Sequence, residues 1–398
     1  MNSTDAEQPL NFAYIAQGEL FHHANGVKKQ IVSQFGQEII DRAARTQQMQ
    51  SWKNQGNDGN ALMAGRSLWG GNSADLSGVQ VRIVSVTAGD EQGRVLYALG
   101  TNKITGLLDY TVANDREIRL FHKSDFRLVD LARHPAENRL AASVAFGDGT
   151  ASIATMNSDG RRMQTVTEGD SADLAPAWVP GQDNVIVYQS SGVARNTQGL
   201  VAGFSPFRIE ELNLKTGALM TLADNPQFDF LNPRKDARGN LYCIRRPYQT
   251  GGRSVGVGTT LTDILMFPFR LLRTLFDFLN YQSMMYSRKP LSNAGGPKQE
   301  QDVKQLYLWG RKIEVEKALR SAKRNDDTPA IVPKSWELVR IGSDGEQTTL
   351  AAHVASFDIS AEGQIVYSNG NGVFTLQSNG KSKRIAKHRF IERVFALG

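Results

Sequence analysis

The sequence has few of the residues that cross-link a protein or bind metal. A single cysteine, Cys243, in 398 residues excludes a disulfide within the chain. It lies in the apolar run 241–244, which predicts an inert thiol in the core. The six histidines show no metal-ligand spacing. We therefore expect no metal site and no bound cofactor.

Two catalytic signatures are also missing. The sequence has no G-x-x-x-x-G-K-[ST] phosphate loop and no H-E-x-x-H zinc motif. Its 46 basic and 40 acidic residues give a net charge of +6, which is mild for this length. A non-specific nucleic-acid binder would more often have a concentrated basic face. We predict no catalytic residues and no nucleic-acid partner.

Targeting signals are absent as well. The first 21 residues have no basic start and no sustained apolar run, so no signal peptide is predicted. The most apolar segment, residues 261–290, has four charges within 15 residues, too many for a membrane span. We expect a cytoplasmic protein, and the sequence leaves open whether it associates with a membrane surface.

A β-rich unit of about 45 residues repeats along the chain. Residues 128–225 hold two such units end to end, with period-two alternation and hairpin turns between the strands. We aligned further copies on the first residue of each inner apolar strand. These residues are Phe12, Val95, Leu140, Val185, Leu241 and Ile365. Two successive intervals, 95 to 140 and 140 to 185, are 45 residues long, and inserted residues lengthen the next two.

This period, with four strands per unit, predicts an all-β chain folded as a β-propeller. We expect six blades, with five or seven as alternatives. The interval from Ile365 through the C terminus and on from the N terminus to Phe12 is again 45 residues. The closing blade is therefore predicted to be split between the two ends of the chain, which leaves no blade with an open edge.

One copy of the unit, residues 156–192, has a specific pattern. An N-x-D-G turn precedes P-x-W, a P-G turn and an apolar strand. The residues are Asn157, Asp159, Gly160, Pro176, Trp178, Pro180, Gly181 and Ile186. The pattern resembles the TolB-type (WD-like) propeller repeat, although Val179 replaces its serine and its aspartate after the second proline is absent. With weaker copies, the resemblance covers about two thirds of the chain. It implies the fold and not an activity.

We expect one propeller domain over residues 1–398 with two excursions. The first, residues 35–77, joins a segment of helical periodicity to a Gly/Asn/Ser-rich loop. Leu68 and Trp69 in that loop are candidates for covering the channel or meeting a partner. The second, residues 249–334, is a largely helical insertion between the second and third strands of the fifth repeat.

The insertion contains an amphipathic stretch, residues 261–286. Its polar residues fall within an arc of about 120° on a helical wheel, and the remaining face is mostly Leu, Phe, Ile and Met. An apolar face this broad must be covered. A membrane surface, a second protein or subunit, and the propeller's own side are all open possibilities. The predicted contact residues are Leu265, Phe267, Phe269, Leu272, Leu275, Phe276, Phe278, Leu279, Met284 and Met285.

Four aspartates, Asp130, Asp173, Asp229 and Asp358, recur near the starts of blades. They would either line the central channel or accept hydrogen bonds from turn amides. The turn interpretation is favoured, because aspartate is common in turns for that reason.

The sequence favours a non-catalytic scaffold. It would bind a protein partner through its loops and dock on a membrane surface or a second subunit through the insertion. The alternatives are a regulatory or substrate-gating propeller subunit of a hydrolase, and a propeller enzyme with an active site at the channel mouth. Converging Asp and His side chains in the channel would favour the enzyme, whereas a covered channel would favour the scaffold.

Overall fold

The computed structural model describes residues 10–55, 79–101, 103–249, 305–320, 327–377 and 379–397. Within these ranges the chain is mainly β-strand, and its helices are α1 (Gln34–Gln55) and the short α2 (Val315–Arg320). The all-β prediction is therefore confirmed.

Four of the described sheets have four antiparallel strands, and a nine-stranded sheet divides into two more such units that one parallel residue pair, Ala151 with Ala172, joins. We name these six units blades 1 to 6 in repeat order. Blade 1 contains β27 (Ile391–Ala396), β1 (Phe12–Ala16), β2 (Glu19–Ala24) and β3 (Val27–Ile31). Blade 2 contains β4 (Arg82–Ala88), β5 (Arg94–Gly100), β6 (Thr105–Thr111) and β7 (Arg116–Lys123). Blade 3 contains β8 (Arg127–Arg133), β9 (Arg139–Ala145), β10 (Ala151–Asn157) and the two-residue β11 (Gln164–Thr165).

The remaining blades follow the same order of strands. Blade 4 contains β12 (Ser171–Trp178), β13 (Val185–Arg195), β15 (Arg208–Asn213) and β16 (Leu219–Ala223), with β14 (Val201–Phe204) paired to β13. Blade 5 contains β17 (Phe228–Lys235), β18 (Leu241–Pro247), β21 (Glu337–Ile341) and β22 (Gln347–Ala352). Blade 6 contains β23 (Ser356–Ile359), β24 (Ile365–Ser368), β25 (Gly372–Leu376) and β26 (Ser382–Lys387).

The second strand of each blade begins at, or one residue before, the residue used to align the repeats. Val95, Leu140 and Val185, for example, lie at the starts of β5, β9 and β13. In β9 every residue after Arg139 is buried. Both faces of such a strand are covered because a blade packs against a neighbour on each side. The sequence of an inner strand is therefore closer to a continuous apolar run than to an alternation of apolar and polar residues.

Apolar clusters fill the spaces between neighbouring blades. Leu96 and Leu107 of blade 2 pack with Leu128 and Leu140 of blade 3. Comparable clusters join the other neighbours, including blade 6 to blade 1 through Val366, Val373 and Tyr14. The core is thus a series of sheet-on-sheet layers around a ring.

The two ends of the chain meet in blade 1. Strand β27 pairs antiparallel with β1, with Ala396 opposite Phe12 and Val394 opposite Tyr14. Ile391 and Val394 are buried against blade 6 in the same cluster as Tyr14. The hydrogen-bond ladder therefore links residues from opposite ends of the sequence.

Asn-Gly and Asp-Gly pairs in the sequence predict tight hairpin turns with positive φ values between third and fourth strands. The pairs lie there, but most of them do not have that geometry. Only Asn25-Gly26 has two left-handed residues, with φ of 51° and 75°. At Asp159-Gly160 the glycine alone is left-handed, with φ of 78°. There the Asp159 carboxylate accepts the Arg161 N–H at 2.9 Å, an Asx turn. Asp344 and Asn379 make the same contact two residues ahead.

The first excursion begins with α1. Its Phe35 N–H donates to Glu117 at 2.8 Å, and the Ser33 hydroxyl accepts the Gly36 N–H at 3.0 Å as a cap. Leu68 and Trp69 lie outside the described residues. None of the helices described is long and apolar enough to cross a membrane.

In the second excursion, the predicted amphipathic stretch 261–286 and all its contact residues lie outside the described ranges. Strands β18 and β21, on either side of the insertion, pair directly, with Cys243 opposite Val339. The described part of the insertion includes the hairpin of β19 (Gln305–Leu308) and β20 (Arg311–Glu314). The sequence predicted a helix over 312–323, but residues 311–314 pair with β19 and α2 begins only at Val315.

Removal of residues 390–398 is expected to destabilise the whole protein. It deletes the partner of β1 and exposes the side chains that pack on Ile391 and Val394. At about 1.5 to 3 kcal/mol for each buried apolar side chain, the loss of unfolding free energy should exceed about 4 kcal/mol. Thermal melting followed by circular dichroism measures it. A deletion of the nine residues that precede Leu10 is the control, because it leaves the β27–β1 ladder intact. An unchanged melting temperature after the C-terminal deletion would contradict the pairing.

Candidate functional site

The first strands of the six blades contact one another in a closed cycle: β4, β8, β12, β17, β23, β27 and back to β4. They are therefore the innermost strands and form the wall of a central channel. Their side chains are unusually polar for buried strands. We take this channel as the candidate functional site, because propellers present their central channels and the loops around them to ligands.

Arginine–carboxylate pairs join neighbouring strands of the wall. Arg82 of β4 contacts both carboxylate oxygens of Glu392 on β27, at 2.6 and 2.8 Å. Arg234 of β17 contacts Asp358 of β23 at 2.6 Å. All four side chains are largely buried. These contacts therefore tie blade 2 to blade 1 and blade 5 to blade 6.

A further pair crosses the channel. Arg393 of β27 contacts Asp130 of β8 at 2.5 Å, although β4 lies between these strands in the cycle. The other oxygen of Asp130 accepts the Ala175 N–H of β12 at 3.0 Å. Asp358 likewise accepts the Ala396 N–H at 3.0 Å. Each carboxylate thus satisfies a guanidinium and a backbone amide from two different blades.

A third group surrounds Asp229 at the start of β17. Its carboxylate accepts from Arg246 at 2.8 Å, from Arg311 at 3.2 Å and from the Phe207 N–H at 3.1 Å. Burial, reinforced by the Arg246 charge, lowers the pKa of Arg311 to about 10. Arg246 also lies 4.7 Å from the centre of the Trp336 ring. Arg311 comes from β20, so this cluster fixes the insertion hairpin to the ring.

The tip of that hairpin covers the channel. Trp309 and Gly310 form its turn, with φ of 49° and 74°. The Trp309 ring lies 4.5 Å from the guanidinium of Arg393, the residue that spans the channel. Its indole N–H donates to the Ala355 carbonyl at 2.8 Å, and its own carbonyl accepts from Arg246 at 2.9 Å. The indole is therefore held by a cation–π contact and one hydrogen bond, and the backbone of the hairpin tip by a second hydrogen bond.

The aspartates predicted from sequence have other partners than expected. The favoured interpretation, turn amides, is wrong for Asp130 and Asp358, which bind arginines and strand amides inside the ring. Asp229 also binds arginine. Asp173 is buried on β12, but its carboxylate lines a cavity between blades 3 and 4. Sequence spacing located these residues on first strands but could not show their partners, which lie far away along the chain.

The sequence reasoning missed Trp309 and Arg393, and it also assigned no role in the site to Arg82, Glu392, Arg234, Arg246 and Arg311. The signal for the first was present: Trp-Gly follows the alternating Leu306 and Leu308, which indicates a hairpin turn. Nothing in the local sequence distinguishes Arg393 from other strand arginines. Its role depends on Asp130, which lies in another blade.

The described residues offer no evident metal site. Among them, no three His, Cys, Asp or Glu side chains are close enough together to hold an ion. Cys243 is buried, as predicted, and burial raises the pKa of its thiol to about 12. A thiol of that pKa stays protonated at neutral pH and is a poor nucleophile.

One further pattern, Gly252 to Gly256, has the G-x-S-x-G spacing of a nucleophile elbow, with Ser254 at its centre. It lies outside the described residues. An elbow joins a strand to a helix above an α/β-hydrolase sheet. Here the preceding strand, β18, is paired antiparallel on both sides within a four-stranded blade. An antiparallel propeller blade is not the α/β-hydrolase sheet in which such an elbow positions its serine.

Comparison with known proteins supports the fold. Neither a known protein family nor a curated protein matches the sequence. A chain of the nidogen/laminin complex is similar in structure, with a TM-score of 0.51 and 6% identity over 97% of both chains. TolB from Acinetobacter baumannii has a TM-score of 0.50 and 8% identity, over 97% of this chain and 66% of the TolB chain. At such identities the likeness concerns the fold alone, and it confirms the predicted TolB-like β-propeller.

Replacing Arg393 with methionine should cost about 3 to 5 kcal/mol of unfolding free energy, because it leaves the Asp130 carboxylate buried without its counter-ion. Denaturant titration measures the change. Adding Asp130→Asn should recover most of the loss, since the amide oxygen still accepts the Ala175 N–H and carries no charge. Arg161→Met is the control: its side chain is 85% exposed and 3.7 Å from Asp159, so a change within about 0.5 kcal/mol is expected. Equal effects at Arg393 and Arg161 would show that the channel pair is energetically unimportant.

Proposed function

We propose that the protein is a non-catalytic β-propeller scaffold. It binds a protein partner through its loops and docks on a membrane surface or a second subunit through residues 261–286. As expected from the sequence, it would act in the cytoplasm. The observation that carries the proposal is that the charged side chains of the channel already bind one another. Trp309 covers them.

A propeller enzyme with an active site at the channel mouth would need a different arrangement. General acid–base catalysis uses titratable groups that face a substrate and have pKa values near the working pH. In the described channel, Asp130, Asp229 and Asp358 each form an ion pair with an arginine and accept a hydrogen bond from a backbone amide. Substrate would have to displace both the hairpin and these contacts. The channel therefore supports the scaffold over the channel-mouth enzyme.

The other alternative, a regulatory or substrate-gating subunit of a hydrolase, requires an open path instead of catalytic groups. A gating or regulatory propeller needs an opening through which substrate reaches a separate catalytic chain. The hairpin tip, held by Arg393, Arg246 and Ala355, obstructs one such route. A loop-borne binding role needs no opening and uses the ring as a rigid support. The scaffold is for this reason the proposal with fewest added assumptions.

The insertion is suited to docking because the blade does not depend on it. Strands β18 and β21 complete the ladder of blade 5 by pairing directly, from Leu241 opposite Ile341 to Arg245 opposite Glu337. Residues 261–286 add a broad apolar face in the sequence, with polar residues confined to one arc. Such a segment lies in a membrane interface or against another protein.

Liposome flotation tests the docking. Protein is mixed with vesicles of equal parts phosphatidylcholine and phosphatidylglycerol, and the floating fraction is compared for the intact chain and for a variant lacking residues 255–287. Membrane docking predicts that only the intact chain floats. The point variant Leu272→Asp with Leu279→Asp should also stay at the bottom, since each charge in the apolar face opposes insertion. Its control, Thr274→Asp with Asn280→Asp, adds equal charge to the polar arc and should float.

If neither the intact chain nor its control floats, sizing of both decides the second form of the proposal. A larger species that the Leu272→Asp with Leu279→Asp variant reduces to a monomer would support docking on a second subunit. A monomer that neither floats nor changes size with these substitutions would sink the docking part of the proposal. The binding part would then rest on the propeller loops alone.

A further inference from the structure

A cavity of about 490 Å³ lies between blades 3 and 4. One wall is the segment that leads from the two-residue strand β11 to β12, residues 166–171. The other wall is formed by one face of blade 4. The fourth strand of blade 3 is too short to cover this part of blade 4, which leaves the space open. The volume is typical of small-molecule sites.

The face of blade 4 toward this cavity is divided into two halves. In one half Ile186, Leu212 and Trp178 pack on Ala141 and Ile153 of blade 3, and Tyr188 belongs to the same cluster. In the other half the strand register brings polar residues side by side. Asp173 lies opposite Ser190, which lies opposite Arg208. In the next row Tyr188 lies opposite Glu210, which lies opposite Thr221. The polar half is where the cavity is.

Negative charge is in excess around the cavity. Four carboxylates line it, those of Glu168, Asp170, Asp173 and Glu210, against the single guanidinium of Arg208. Arg208 contacts Glu210 at 2.5 Å, and Arg195 contacts Asp170 at 2.7 Å. Asp173, only 3% exposed, accepts from the Ser190 hydroxyl at 2.7 Å but forms no ion pair with any described residue. A buried carboxylate without a counter-ion is costly.

A second observation points to a ligand. Tyr188 is 3% exposed, lines the cavity, and its hydroxyl has no hydrogen-bond partner in the part of the chain that the structure describes. The strand register places Tyr188 beside Glu210 and two residues before Ser190, the partner of Asp173. Burial and then the charges of Asp173 and Glu210 raise the pKa of the Tyr188 hydroxyl, which stays protonated. The hydroxyl is not one of the fully enclosed polar atoms without a partner, so it opens toward the cavity. The unused oxygen of Tyr188 and the unpaired Asp173 border the same space.

We propose that this cavity binds a primary ammonium group carried on a short apolar stem. The ammonium would donate to the Asp173 carboxylate and to the Tyr188 oxygen, which supplies the missing counter-ion and the missing hydrogen bond. The stem would lie against Val166, Leu212 and Leu219, which also line the cavity. An anion is excluded by the excess of carboxylates, and a neutral alcohol would leave Asp173 without a counter-ion. The ammonium could belong to a free amine or to a lysine side chain of a partner protein.

Calorimetric titration with three small probes tests the proposal. They are n-pentylamine, its neutral analogue n-pentanol, and Nα-acetyl-lysine methylamide. We expect saturable binding of at least one amine and none of the alcohol. Tighter binding of the lysine derivative assigns the site to a partner's lysine, and tighter binding of pentylamine assigns it to a free amine. No saturable binding of either amine, or equal binding of the alcohol, would overturn the proposal.

Substitution of the proposed counter-ion gives the sharper test. Asp173→Asn should weaken amine binding at least tenfold, equivalent to about 1.4 kcal/mol. Tyr188→Phe should weaken it less, because it removes one neutral hydrogen bond. Asp344→Asn is the matched control: this exposed turn aspartate keeps its contact with the Glu346 N–H as asparagine, and binding should not change. Unchanged binding in Asp173→Asn would exclude the assigned role.

Thermal melting tests whether Asp173→Asn still folds, and it gives a second readout of the proposal. Burial raises the pKa of the Asp173 carboxyl, against smaller contributions from hydroxyls and from Arg208. The unfolded chain therefore releases this proton at lower pH than the folded chain, and stability falls as pH rises between the two values. The other charged groups that line the same cavity are Glu168, Asp170, Glu210 and Arg208.

Asp173→Asn should accordingly melt at a higher temperature than the natural chain at pH 7, with the difference vanishing near about pH 3, below the pKa of an unfolded aspartate. Pentylamine should raise the melting temperature of the natural chain at pH 7 and not that of the variant. A variant that melts lower than the natural chain at pH 7 would assign Asp173 a structural role instead of ligand binding.

Discussion

The fold depends on the pairing of β27 with β1. In every other blade the strands pair in chain order, although the insertion separates β18 from β21 in blade 5. Blade 1 alone takes its strands from both ends of the chain, and its ladder holds Ala396 opposite Phe12. Without that ladder the first strands could not remain in a closed cycle, and the contacts across the channel would have no fixed geometry. The closed ring therefore depends on a contact between residues far apart in the sequence.

The channel follows from that closure. Arg393 lies on the closing strand and meets Asp130 on blade 3, so the pair exists only in the completed ring. The insertion hairpin then adds Trp309 over Arg393 and Arg311 beside Asp229. Buried ion pairs are weak sources of net stability but strong sources of specificity, because a wrong register leaves a charge unpaired. Here they fix the blades relative to one another.

The cavity between blades 3 and 4 has the opposite character. Channel carboxylates such as Asp358 are matched by guanidinium groups within the ring, whereas Asp173 has hydroxyl contacts and no ion pair among the described residues. An aspartate on a first strand thus supports structure in one blade and, by our proposal, recognition in another. The difference arises because the short β11 leaves one polar half of blade 4 uncovered.

Sequence alone determined the units of this protein. The 45-residue period, the inner apolar strands and most hairpin positions follow from local patterns, since strand alternation and turn chemistry depend on residues close together in the chain. The helix predicted over 312–323 begins only at Val315, because residues 312–314 pair with β19 instead. Only the tertiary structure decided the sites. Arg82 and Glu392, which form an ion pair, are 310 residues apart. Tyr188 borders the cavity because no strand of blade 3 covers that part of blade 4. No local pattern records such contacts, because they exist only when the ring is closed.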